Sequence, residues 1–203
     1  ATTGSYIIIG EMALVGQSAL AAIDTIPITV TPVNDAPVLA NIEGSPLSYV
    51  ENDPATTITA TLTVTDVDLA NLINATVQIT SGYVNGEDVL SYDSAGTVSI
   101  TGSFNAASGT LTLSGSDSVA NYQTALRQVK YQNTSENPST APRSVSFQVN
   151  DGGSVNNLSG IATRQTSVTS VNDAPTVATG SESIGNYGLA FSGAGQEVLL
   201  GNG

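Results

Sequence analysis

The chain has 203 residues, with 17 acidic against 4 basic side chains, a formal net charge of −13, and no Cys, His or Trp. That balance excludes nucleic acid as a partner, because neutralising phosphates needs clustered Lys and Arg. The missing His and Cys remove the base or ligand of the common Ser, Cys and zinc mechanisms, so no enzyme is expected.

Thr, Ser, Val, Gly and Asn abound, and no long stretch sustains the 3.6-residue apolar period, so the fold class is all-β. The acidity serves either cation binding or solubility alone.

The most apolar run, residues 6–16, is short, is broken by Glu11 and lacks flanking basic residues. It suits a strand pair with a turn at Gly10 and is neither a spanning helix nor a signal peptide, so membrane insertion is not expected. Residues 1–32 read as the last strands of a preceding β-repeat, because they run in Thr-rich, β-branched alternation into Val-Asn-Asp-Ala-Pro at 33–37.

The same pentapeptide returns at 171–175, its Val171 lying 138 residues after Val33, behind a similar run at 159–170. Oxygen-bearing side chains followed by a rigid Pro suit a junction between tandem domains. The organisation is then a linker at 33–37, a complete repeat at 38–170, a second linker at 171–175 and the start of a following β-domain at 176–203.

Within the repeat, short runs separated by turn residues predict strands at 47–50, 57–65, 75–80, 88–92, 97–101, 110–113, 128–132, 144–149 and 161–168, the spacing of a β-sandwich. In 57–65 the alternation of Ile58, Ala60, Leu62 and Val64 with Thr predicts a half-buried strand. Residues 118–126 form the one expected helix, with Ser116 to Ser118 as its N-cap region and with Val119, Tyr122 and Leu126 on one side. In the tail, Leu189, Phe191, a Gly-rich turn and Val198 to Leu200 resemble the opening strands of a laminin-G-like jelly roll.

The acids fall at strand ends. Asp66 and Asp68 lie two residues apart after residues 57–65, Glu51 precedes that run, Asp151 sits in a turn, and Asn34, Asp35, Asn172 and Asp173 lie in the linkers. Carboxylate and amide oxygens are hard donors that suit Ca²⁺. Asp and Asn also form turns by bonding their own backbone.

Together with the linkers, the phrases at 49–53, 65–68, 121–133, 136–143 and 147–153 make residues 33–175 resemble the cadherin-like tandem repeats of large bacterial surface adhesins. The resemblance implies a Greek-key sandwich of the immunoglobulin type, strung end to end and stiffened by Ca²⁺. By position it implies an upper site of Asn34, Asp35, Asp66, Asp68 and Asp151. A lower site would use Glu51, Asn172 and Asp173, with Glu136 as an additional ligand. The linkers carry fewer acids than those of animal cadherins.

Other signatures fail. The segment after Asp66 lacks the Gly and the late Glu of an EF-hand. Glu87 and Asp88 are strand neighbours facing opposite ways, and the turn at Asn85-Gly86 accounts for their polarity. Lys130, between Val129 and Tyr131, faces solvent if those two face the core, which disfavours a Lys–Asn crosslink. Arg143 is expected to tether the loop holding Glu136 through a surface ion pair.

The expected function is an extracellular spacer or adhesion repeat of a secreted or cell-surface bacterial protein, stiffened by Ca²⁺ and partnered by neighbouring repeats, with cell-surface or matrix ligands as further partners. The alternative is a filament subunit in which residues 1–32 complete an identical neighbour by strand exchange. A carbohydrate-binding module is disfavoured by the absence of Trp and the scattered Tyr residues.

Overall fold

Thr-rich and β-branched alternation gives the second of two compact units, residues 34–203, its strands, whereas the first unit, residues 1–33, shows no helix or strand among its described residues. The computed structural model describes residues 27–96 and 99–174. The strand pair expected at 6–16 and the jelly-roll opening lie outside these residues, as do the first two positions of the strand expected at 97–101.

The second unit runs β1 (Val38–Ala40), β2 (Leu47–Val50), β3 (Thr56–Thr57), β4 (Thr63–Thr65), β5 (Asn71–Ser81), β6 (Asp88–Tyr92), β7 (Thr101–Asn105) and β8 (Thr110–Ser118). After α1 (Val119–Arg127) follow β9 (Val129–Asn133), β10 (Arg143–Asn150) and β11 (Ala162–Thr169). A six-stranded sheet in the order β2-β11-β10-β5-β8-β7 packs on a three-stranded sheet β3-β9-β6, and β1 pairs with β4. Every pairing is antiparallel except β2 with β11. Among the described residues this is the all-β sandwich with one short helix that the sequence implies.

Period-two alternation builds the core. Val77 and Ile79 of β5, Leu111 and Leu113 of β8, and Val145, Phe147 and Val149 of β10 point inward, with Leu90 of β6 and Tyr131 of β9 in the same buried cluster. Tyr49 of β2 meets Tyr131 edge to face, ring centres 5.1 Å apart, which ties the two sheets together. The outward positions across the middle of the large sheet are uncharged: Asn74 lies between Ser114 and Asn150, and Thr76 between Thr112 and Gln148.

The helix begins where Ser118 Oγ accepts the Asn121 N–H at 3.2 Å and buries Tyr122, Ala125 and Leu126. In its last turn Arg127 Nε donates to the Leu62 carbonyl at 2.8 Å, which fastens it to the segment before β4.

Two expectations are corrected. Residues 57–65 are not one strand, because β3 belongs to the three-stranded sheet and β4 pairs with β1. In the crossover Thr59 is buried and Ala60 exposed. Glu43 causes the reversal: one carboxylate oxygen accepts the Thr59 hydroxyl at 2.6 Å and the other the Ala60 N–H at 2.8 Å.

Arg143, expected at the surface, is fully buried, its Nη2 lying 3.2 Å from Asp88 Oδ1. It does hold the loop after β9, but from inside, through Nη1 donating to the carbonyls of Ser139 and, at 2.7 Å, Ala141. A buried guanidinium needs a counter-charge, and Asp88 supplies it. The polarity of Asp88 is thus more than a turn effect, although its Oδ2 also accepts the Val84 N–H at 2.8 Å.

Candidate metal centre

The end of the sandwich at which β2 and β11 finish is built from three chain segments. Glu51 follows β2 directly and is only 3 % exposed. Its N–H donates to the Thr169 carbonyl at 2.9 Å and its Oε2 accepts the Val171 N–H at 2.6 Å, so this one residue grips the chain as it leaves β11. Glu136 comes from the loop between β9 and β10, where Ser135 N–H donates to Asn133 Oδ1 at 2.9 Å and Asn137 N–H to Ser135 Oγ at 3.1 Å. Asp173 lies past the end of β11, in the second Val-Asn-Asp-Ala-Pro.

The carboxylates of Glu51, Glu136 and Asp173 each offer an oxygen within 4.8 Å of the others. Three of the four residues expected at the lower site are thereby brought together. Asn172 lies beside them, its Nδ2 donating to the Asp173 carbonyl at 3.2 Å. Oε1 of Glu51 is buried and has no hydrogen-bond partner among the described residues. A buried carboxylate oxygen without a donor is costly, and an ion pays this cost where a proton donor does not.

Charge makes the cluster costlier still. Two carboxylates about 4 Å apart repel by about 1 kcal/mol in water and about 4 kcal/mol in the effective dielectric near a protein surface. The donor set is all hard oxygen, which suits a hard cation of the Mg²⁺ or Ca²⁺ kind and not a thiolate- or imidazole-seeking metal.

The upper end is organised differently. Asn34 Nδ2 faces four oxygens: Asp151 Oδ2 at 2.9 Å, the Val155 carbonyl at 3.1 Å, and the Asn156 and Asp35 carbonyls at 3.3 Å. Asn156 Nδ2 returns a bond to the Asn34 carbonyl at 3.0 Å. Gly153 makes room, because a Cβ there would lie 2.5 Å from the Asn34 amide.

Asp35 N–H donates to Asp68 Oδ2 at 3.1 Å, while Asp66 Oδ1 takes the N–H groups of Asp68 and Leu69 at 3.1 and 2.9 Å. Asp66 therefore does the turn-forming work open to any Asp, and its Oδ2 is left buried without a partner among the described residues. The upper set is assembled in space, yet no three of Asp35, Asp66, Asp68 and Asp151 bring carboxylate oxygens within 4.8 Å of one another.

Sequence reasoning missed the Glu43–Arg164 pair, 3.5 Å apart, in which Arg164 also donates to the Ile58 and Ser45 carbonyls. Partial burial pushes the Glu43 carboxyl up, but the Thr59 hydroxyl, the Ala60 N–H and Arg164 outweigh it and hold its pKa at about 2. No sequence signal links Glu43 with Arg164, which lie on separate segments.

Over 136 residues, 65 % of the chain, the sequence is 35 % identical to halomucin of Haloquadratum walsbyi, and the matched stretch spans 1 % of that protein. Halomucin is accordingly far longer than this chain, and the likeness is to a small segment of it. No family model matches the chain. Among the described residues no helix is long and apolar enough to cross a membrane.

Proposed function

We propose that this chain is a cadherin-like extracellular repeat of a large surface protein, in which Ca²⁺ at the lower end stiffens the exit linker. The observation that carries the reading is the Glu51–Glu136–Asp173 cluster with the unpartnered Oε1 of Glu51. The similarity to a segment of halomucin supports the surface-repeat part. The acids join the sandwich to its linker: Glu51 and Glu136 belong to the folded body and Asp173 to the departing chain. A cation shared among them offsets their repulsion and ties linker to body.

At the upper end Asp66 Oδ2, Asp68 and Asp151 are the oxygens a second ion would use. Several of them already serve backbone N–H groups, so the lower site is proposed to fill first. Extracellular calcium modules bind at about 10⁻⁴ to 10⁻³ M, which fills such a site outside a cell and leaves it largely empty inside.

Calorimetric titration of Ca²⁺ into chelator-treated protein tests the proposal. Binding in that range, lost in Glu51→Gln, is expected. No heat and no change in melting temperature at millimolar Ca²⁺ would overturn it.

A further inference from the structure

The acceptor pattern Asn-x-Ser/Thr, with x other than Pro, occurs at residues 74–76, 133–135 and 157–159, whereas Asn137-Pro138-Ser139 is barred by its Pro. The fold sorts the three. Asn133 is 3 % exposed and spends its amide on Asp88 Oδ1 at 2.8 Å, so it is closed to any enzyme. Asn157 donates to Asn150 Oδ1 at 3.3 Å, and the hydroxyl of its Ser159, 3 % exposed, is taken up by the Val149 N–H and the Gly160 carbonyl.

Asn74 differs from both. It stands half-buried on the outward face of β5 with Thr76, and neither its amide nor the Thr76 hydroxyl makes a hydrogen bond among the described residues. Two residues apart on a strand, both side chains point the same way, about 7 Å apart. The bulge between Leu72 and Asn74 lies next to them, and bulges re-aim side chains.

We propose that Asn74 is an N-glycan acceptor. The donor class is an oligosaccharide carried on a polyprenol pyrophosphate. The Asn74 amide nitrogen attacks the anomeric carbon, the N–C bond forms, and the C–O bond to the pyrophosphate breaks. The pyrophosphate leaves with the electron pair, and the amide proton passes to a base of the transferase.

Charge favours this face over others. The donor is anionic and the chain carries −13, so approach is opposed wherever carboxylates cluster. Around Asn74 the cross-strand neighbours are Ser114 and Asn150, around Thr76 they are Thr112 and Gln148, and the next row, at Gln78, is uncharged as well. The proposal shares with the cation reading only the extracellular location and is independent of Ca²⁺.

The test is mass spectrometry of the protein isolated from its producing cells, before and after enzymatic glycan release, which converts a modified Asn to Asp. A sugar on Asn74, none on Asn133 or Asn157, loss in Thr76→Val and retention in Thr76→Ser are expected. Thr76→Val keeps a β-branched residue on the strand, and its circular dichroism confirms folding. An unmodified Asn74, modification at Asn133 or Asn157 instead, or modification that survives Thr76→Val would each overturn the assignment.

Discussion

Asp88 and Arg143 face each other across the buried floor of the sandwich, 3.2 Å apart with both side chains fully out of solvent. Tyr131 Oη and Asn133 Nδ2 donate to the same Asp88 oxygen at 2.6 and 2.8 Å, and Arg143 Nε donates to both Asp88 oxygens at 3.3 Å, while its Nη2 adds the ion pair without hydrogen-bond alignment. Removing one partner leaves an uncompensated buried charge, so Asp88→Ala should cost about 3–5 kcal/mol in urea unfolding. Tyr131→Phe should cost about 1 kcal/mol. Equal losses in the two variants would show that the pair carries no special weight.

The buried tyrosines set an alkaline limit. Burial pushes up the hydroxyls of Tyr49, Tyr122 and Tyr131, Tyr122 to about 12, and the neighbouring Asp88 pushes Tyr131 further. Because the folded state disfavours ionisation, their contribution is whole below the unfolded value of 10.0 and is lost as pH rises through the folded values. Unfolding free energy against pH should turn downward above about 10, and a curve flat to pH 12 would contradict this.

Glu43 works in the opposite sense. Its carboxyl is held at about 2 against an ordinary 4.5, so its stabilisation is present above 4.5 and fades as pH falls toward 2. Glu43→Gln should cost on the order of 1 kcal/mol at neutral pH, after allowance for its partial exposure, and the difference from wild type should vanish near pH 2. A gap that persists at pH 2 would point to packing instead of charge.

The two ends of the repeat should answer separately. With Ca²⁺ at about 100 times the dissociation constant the stabilisation is about 2.7 kcal/mol, or roughly 5 to 10 °C in Tm. Glu51→Ala should abolish that shift, and Asp66→Ala with Asp68→Ala should leave it. Loss of the shift in both variants would undo the assignment by ends.

At the upper end the prediction concerns fit instead of charge. Gly153→Ala puts a methyl group 2.5 Å from the Asn34 amide and should expel it from its oxygen cradle. Faster amide exchange at residues 34–37 is expected, with less than about 1 kcal/mol lost globally. Unaltered exchange there would mean that Asn34 does not hold the linker.

Much of this architecture was legible in the residues. Leu47–Val50 and Asp88–Tyr92 emerge with the bounds their alternation implies, and the helix cap, Ser118, falls within the expected region Ser116 to Ser118. Residues 57–65 mislead because Thr alternation looks alike in a strand and in a crossover pinned by a distant Glu43. Arg143 misleads because its counter-ion lies 55 positions earlier, and nothing local announces a buried pair. That Glu51, Glu136 and Asp173 lie at one end of the sandwich was legible because each stands at a strand end or in a copy of the repeated pentapeptide. Whether carboxylates converge is a matter of loop path, and that separates the lower set from the upper.

The parallel pairing of β2 with β11 has a mechanical consequence. Leu47 lies opposite Thr166 and Val50 opposite Thr169, while Asn34 is pinned beside Asp151 at the leading end of this pair and Val171 is gripped by Glu51 at the trailing end. Tension applied between Asn34 and Val171 pulls the strands past each other along their length. The rungs between them then bear the load in shear, together and not one by one as in a hairpin peeled from its end.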